Sequence, residues 1–550
     1  MKVRIVTGVL IAAVSLAVSG AAQQAIPGDV QDVLAHLSKS AFAANMRFLS
    51  DDLLEGRGTG TRGQALAAKY VAAQFESFGL QPAGAHGGFF QDVPLRELTA
   101  DPTASEFAIT RDGKTTNYKW ADDFVTRSSE FETDSSVEAP VVFVGFGVIN
   151  PARGYDDYAG IDVKGKIAVM LPGAPPAFPA NERAHFASGA EKTRQAASHG
   201  AVGIIRLWTP ESDTLLPWTR IRNQAESPGF RWLDSEGRPN DSYKEIRGGA
   251  LVSVGLGKQL FAGSSESYDD MLKKASAGGI RSHALQGTVR IHSVSKHREV
   301  SSPNVVGVLR GSDPALANEY VVYSAHTDHM GIGRPVNGDR IYNGAVDDAS
   351  GTSALIELAR AFARMPKPPA RSILFLATTG EEAGLLGADY FAHFPTVPKS
   401  SIVADLNMDG ASVFYTFNDV VGDEHSTLAD TIARNASRLG LQVSPDPMPE
   451  QVGFVRADHY PFVRQGIPAV TIGEGLQAKD PSVDGRKFVE NWIATRYHAP
   501  SDDMDQPLNF DASIQFMQLN FLVGYDVAQD HQRPTWKKGD FFGDLFGHQK

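Results

Sequence analysis

Glu381 and Glu382 stand side by side where the apolar run SILFLATTG gives out. Two carboxylates held close in a partly dry place repel, and one pKa rises. A bound cation inverts that cost. Residues of the same kinds recur at comparable places. YVVYSAHTDHMG runs into His326 and Asp328, and NGAVDDASG puts Asp347 and Asp348 in a turn ahead of a helix. SIVADLNMDG ends in Asp409, and TRYHAPSDDMD supplies His498. Imidazole together with carboxylate suits zinc and related divalent ions. Two metals about 3.5–4 Å apart need one carboxylate shared between them and separate ligands for each. Two histidines and three carboxylates meet that requirement. A further carboxylate is needed as base for an attacking water. Neighbouring side chains at a turn point in different directions, so one glutamate can ligate while the other faces the water. Singly, each piece has a plain structural reading. A strand-end His is commonly hydrogen-bonded in place, Asp-Asp-Ala-Ser-Gly can cap a helix, and Glu-Glu is commonly a solvated face. The recurrence in five separate segments favours a metal site.

These residues need elements to carry them. From Ser302 onward, short apolar runs (NVVGVLRG, YVVYSAH, SILFLAT, SIVADLNMD, PAVTIG) alternate with helical stretches such as GTSALIELARAFARM and HSTLADTIARNASRLG. That rhythm predicts an α/β fold, with a central, mostly parallel mixed sheet flanked by helices on both faces. Active residues then belong at the carboxyl ends of the strands. Upstream, Gln64 to Leu80 has the three-and-four spacing of an amphipathic helix. From about Asp134 the texture changes to β-branched runs bounded by Gly and Pro, such as APVVFVGFGV and GKIAVMLPG. The reading is an inserted β-rich domain over residues 134–287, with polar linkers near FETDSSVEAP and SHALQGTV. Residues 23–133 and 288–550 then form one discontinuous domain.

A chain of 550 residues exceeds one ordinary core, which makes two domains the natural expectation. The formal net charge of -12 argues against nucleic acid and anionic membrane as partners. Lys2 and Arg4 precede an apolar run from Ile5 to Val18, followed by small residues. This reads as a secretory signal peptide over residues 1–22. The run is shorter than the roughly 20 residues of a membrane span. The expectation is therefore export to the periplasm or beyond, with no membrane anchor after cleavage. Cysteine is absent, so thiolate nucleophiles and Cys-ligated zinc are excluded, and any metal is held by His and carboxylates.

Taken in order, SAHTDHMGIG, NGAVDDASG, TTGEEAGLLG, NMD and YHAPSDDMD resemble the M28 family of zinc aminopeptidases. The insert resembles the protease-associated (PA) domain that many members carry. LSDDLLEGRGTGTRG and QRPTWKKGDFFG resemble a bacterial secreted subgroup. The resemblance implies the zinc exopeptidase fold and two Zn2+ per chain. His326, Asp347 and Asp409 would hold one ion. Asp347, Glu382 and His498 would hold the other, with Asp347 bridging. Glu381 matches the general base, and Asp328 matches the carboxylate that orients His326. Tyr497 is a candidate for holding an oxyanion, and His459 in RADHYPF a candidate for substrate contact, with a structural turn as its alternative. His329 is read as a loop residue. Asp409 is followed by Gly-Ala-Ser, and a loop of about twenty-five residues separates TIGEG from His498. Both departures bear on the pocket.

The implied activity is N-terminal exopeptidase action on peptides or small proteins. A carboxypeptidase or other amidohydrolase on the same scaffold would keep every ligand. A non-catalytic receptor-like ectodomain would lose them. A substrate's terminal carboxylate would need a cation, since a buried unpaired anion is costly. The basic residues nearest the metal motifs in sequence are Arg334, Arg340 and Arg496.

Overall fold

The computed structural model describes residues 25–421, 425–451 and 453–548, so the expected signal peptide lies outside the described residues. The catalytic-half sheet centres on the strands Tyr320–His326, Ser372–Thr378, Ile402–Asn407 and Ala469–Thr471. Neighbours among these four pair in parallel. Beyond Ser372–Thr378 the sheet turns antiparallel, through the far half of His283–Leu309 and then Phe90–Ala100 and Gly229–Trp232. Successive side chains of a strand point to opposite faces. Ile373, Phe375 and Ala377 accordingly join a core with the helices Arg62–Ser77, Gly351–Ala363 and Phe510–Gln529. Leu374 and Leu376 join a second core with Leu386–His393 and His459–Arg464. Cover on both faces is why these strands read as unbroken apolar runs. Close helix packing on the first face depends on Gly524. A Cβ there would lie 1.9 Å from the Tyr323 Oη, which donates to the Asn520 carbonyl at 2.6 Å.

The second body continues the same 15-stranded sheet through His283–Leu309, and its strands Asp134–Phe143, Ile167–Met170, Gly203–Leu207 and Gly248–Val252 pair in parallel. Its own cores gather Phe143, Val169, Ile205 and Leu260 on one face, and Val142, Met170 and Ala196 on the other. Helices such as Gly189–Ser198 and Val254–Phe261 cover it, so it is α/β rather than strands alone.

Its limits differ from the expected 134–287. Glu106–Arg111 and Phe124–Arg127 pair with strands of this body. The expected linker SHALQGTV is part of the single strand His283–Leu309. That strand pairs with Asp134–Phe143 in its first half and with Ser372–Thr378 in its second. A bulge between Ala284 and Thr288 shifts the register, and Gly287 takes φ +90 there. The polar residues of both expected linkers are the exposed face of alternating strands. Asp134–Phe143 alternates exposed and buried from Asp134 to Glu138 and onward.

Contacts that join the bodies include His185 with Tyr460 and Arg464 with Asp241, and Trp232 Nε1 donates to Asp389 at 2.7 Å. No helix among the described residues is long and apolar enough to cross a membrane.

Candidate metal and catalytic site

His326 ends its strand in register with Thr378, so the loops carrying Glu381 and Glu382 leave the sheet on the same rim. Asp409 follows Ile402–Asn407, and Asp347 precedes the helix Gly351–Ala363. His498 follows Gly485–Thr495 with φ +53. All five segments converge. His326 Nε2 lies 3.3 Å from Asp347 Oδ1 and 3.5 Å from Asp409 Oδ1. His498 Nε2 lies 3.2 Å from the other Asp347 oxygen, Oδ2, and 3.1 Å from Glu382 Oε2. Asp347 therefore presents one oxygen to each histidine. Glu381 stands beside the first group, its Oε2 3.9 Å from His326 Nε2.

The donors fit a divalent cation. His326 Nε2 and His498 Nε2 are buried without a hydrogen-bond partner, a state that is costly unless a ligand satisfies it. Donors about 2.0–2.2 Å from a tetrahedral zinc are themselves separated by ~3.3 Å, and the four ligand-to-ligand distances above cluster there.

The side chains' own electrostatics point the same way. Burial would raise the Asp347 carboxyl, but the His326 and His498 rings beside it hold it well below the usual carboxylate range. Burial would lower His498, but Asp347 and Glu382 push it up to about 10. Glu381 goes the other way. Burial lifts its carboxyl well above the usual range, and Asp409, Glu382 and Asp458 add to the lift.

Several carboxylates near the rim position the ligands. Asp348 is close to His326 and Asp409, but its oxygens accept from the backbone amides of His326 at 3.1 Å and of Gly351 and Gly410 at 2.8 Å. It ties strand end, helix start and the Asp409 loop together. Asp502 accepts from the amides of Val346 at 3.0 Å and Asp347 at 3.1 Å, which fixes the turn that carries the bridging carboxylate.

The role expected for Asp328 changes. The His326 Nδ1 contact goes to the Asp328 main-chain carbonyl at 3.2 Å, while its carboxylate stands 3.9 Å away. That carboxylate accepts instead from Thr59 Oγ1 at 2.8 Å and from the Glu381 amide at 3.2 Å. It holds the backbone of Glu381 against the Gly-rich opening segment.

Arg57 of that segment carried no role in the sequence reading. Its guanidinium, 1% exposed, donates to the carbonyls of Leu49, of Thr327 at 3.0 Å, of Asn343 at 2.5 Å and of Gly344 at 2.9 Å. It binds the His326 loop to the Asp347 loop. Its only local signal was an Arg between two glycines in LEGRGTGTRG. His329, expected to be a loop residue, is buried beside Glu382, with Nδ1 2.7 Å from Oε1.

Of the two pocket candidates, Tyr497 stacks on His498 with ring centroids 3.8 Å apart. His459 is 1% exposed, with Nδ1 2.9 Å from Thr471 Oγ1. Burial brings its pKa down to about 3, so it sits in the wall as a neutral ring. Arg456, three residues upstream of His459, lines the cavities beside Glu381. It opens the RADHYPF stretch already read as a pocket candidate, where the sequence reading gave a role only to His459.

Residues 304–522 match Peptidase family M28. A glutamate carboxypeptidase 2 homolog of Caenorhabditis briggsae is 27% identical over 321 residues, covering 50% of this chain and 38% of that protein. The chain thus spans well under half of that relative. Aminopeptidase YwaD of Bacillus subtilis is 23% identical over 409 residues, 72% of this chain and 71% of its own length. The fold resembles the solved aminopeptidase from Aneurinibacillus sp. strain AM-1, with a TM-score of 0.53 and 19% identity over 92% of this chain and 97% of that one.

Proposed function

We propose that the chain is an exported two-zinc exopeptidase that removes N-terminal residues from peptides. The observation that carries the reading is the pair of unpartnered histidine nitrogens facing opposite oxygens of Asp347, with Glu381 alongside. His326, Asp347 and Asp409 would hold one zinc, and Asp347, Glu382 and His498 the other. Zinc held there supplies Lewis acidity, which lowers the pKa of water and polarises a carbonyl.

The chain's own residues do the rest. Glu381, fixed through its amide by Asp328, takes the proton of the attacking water and returns it to the leaving amine. Tyr497, stacked on His498, would hold the oxyanion. The larger cavity at the rim, about 540 Å³, is walled by Phe414, Trp492 and Ile493, and it also contains Asp409 and Glu474. Apolar walls with carboxylates suit an apolar N-terminal residue and its cationic amine.

The test uses leucine anilide, free-amine peptides and their N-acetyl derivatives. A chelator should abolish hydrolysis, zinc should restore it, and acetylation should suppress it. Full activity in metal-free protein, or equal rates on acetylated and free peptides, would overturn the reading.

A further inference from the structure

Two cavities open on Glu381, and they share Glu381, Arg456 and Tyr497. The larger is the acidic, aromatic one described above. The smaller, about 430 Å³, lies between the metal rim and the inserted body. Glu381, Glu382 and His498 line one side, and Glu191, Arg194 and Asp241 the other.

Most of its charges cancel in place. Arg194 donates to both oxygens of Glu191, at 2.8 and 2.6 Å. Arg464 donates to both oxygens of Asp241, at 3.1 and 3.2 Å. Arg456 differs from both. Its hydrogen bonds go to the Gln451 carbonyl at 3.3 Å and the Tyr497 Oη at 3.2 Å, neither of them a carboxylate. The ring it touches is the one stacked on His498. An exposed guanidinium thus stands one side chain away from the metal rim, and among the described residues it forms no ion pair with a carboxylate.

We propose that Arg456 anchors the free α-carboxylate of the leaving residue, so that the preferred substrates are short peptides with a free C-terminus, dipeptides above all. This rests on the peptidase reading and deepens it. The amine end belongs in the acidic cavity, which directs the leaving residue into the smaller one. A guanidinium presents a planar fork that matches a carboxylate with two parallel hydrogen bonds. The inserted helix Gly189–Ser198 supplies Glu191 and Arg194 to the far wall, which suits a short leaving group better than a long chain. Arg456 also supplies the cation that recognition of a terminal carboxylate requires, and that the metal motifs lack.

The experiment compares Leu-Gly with Leu-Gly amide on the zinc-loaded full chain, reading kcat and KM separately. The free acid should be preferred by about 10- to 100-fold in kcat/KM, the worth of a charge-assisted hydrogen bond, with the difference mainly in KM. Arg456→Met should bring the acid-to-amide ratio close to one, and Arg456→Lys should restore part of it. Equilibrium binding of both compounds is measured in parallel in a Glu381→Gln background, with and without Arg456→Met, with zinc content as the check on folding. Equal use of acid and amide by the parent, or a ratio unchanged in Arg456→Met, overturns the proposal. Tighter binding of the acid through Arg456 with no hydrolysis of either compound supports the anchor and overturns the peptidase reading.

Discussion

Lowering the pH should weaken the seam between the two bodies, because of His185. This side chain is 6% exposed, and its Nδ1 is 2.6 Å from Tyr460 Oη. The rings of Phe186, Phe541, Phe542 and Phe546 surround it at 4.8, 5.6, 6.3 and 5.8 Å. Burial brings its pKa down to about 4, with Glu191 and Glu182 opposing the shift and Arg464 and Arg194 assisting it. The unfolded chain has a histidine pKa of about 6.5. Between those values the unfolded state binds more protons than the folded one, so stability rises with pH across the window. The contribution is complete above pH ~6.5. It is lost progressively as the pH falls towards 4.

A gap of about 2.5 units corresponds to about 3 kcal/mol in full, and to about 2 kcal/mol already lost at pH 5. The assay is the urea midpoint of the parent and of His185→Phe, at pH 7.5 and pH 5.0. At the higher pH the variant should be weaker, since the buried Tyr460 hydroxyl loses its partner at a cost of roughly 1–3 kcal/mol. At the lower pH that gap should close or reverse, because only the parent has a proton to take up. Other titrating groups are common to both proteins and cancel in the comparison. The same gap at both pH values would refute the reasoning.

The two glutamates separate by metal content. Glu381→Gln should keep its zinc and lose turnover by at least roughly 10²–10⁴-fold, whereas Glu382→Gln should lose or loosen one ion. Elemental analysis showing the reverse would mean that the pair is assigned backwards. Arg57→Met orphans the four carbonyls it now satisfies. At roughly 1–3 kcal/mol for each unsatisfied group, urea unfolding should show a loss of at least ~3 kcal/mol. Zinc affinity should fall with it, since those carbonyls flank His326 and Asp347. An unchanged midpoint and affinity would make these contacts idle.

What the sequence determined by itself was whatever depends on residue type and short-range pattern. Strands buried on both faces are unbroken apolar runs, so SILFLAT and SIVADLN were legible as such, and with them the rim where His326, Glu381, Glu382 and Asp409 emerge. The ligand types followed because imidazole and carboxylate are the donors that suit zinc in a chain without cysteine. Contacts between residues far apart in the chain were decided only by tertiary structure. FETDSSVEAP and SHALQGTV were polar enough to pass for linkers. Which face of a strand meets solvent depends on what packs against the other face, and both proved to be paired strands. Asp328, Asp348 and Asp502 look like ligand candidates in one dimension. They are separated from Asp347 by which backbone amides each one meets. Arg57 lies about 270 residues before its nearest ligand in sequence, His326, and Arg456 about 40 residues before its own, His498. They reach the site because chain reversal and sheet pairing bring their segments to one rim, and no local period records that.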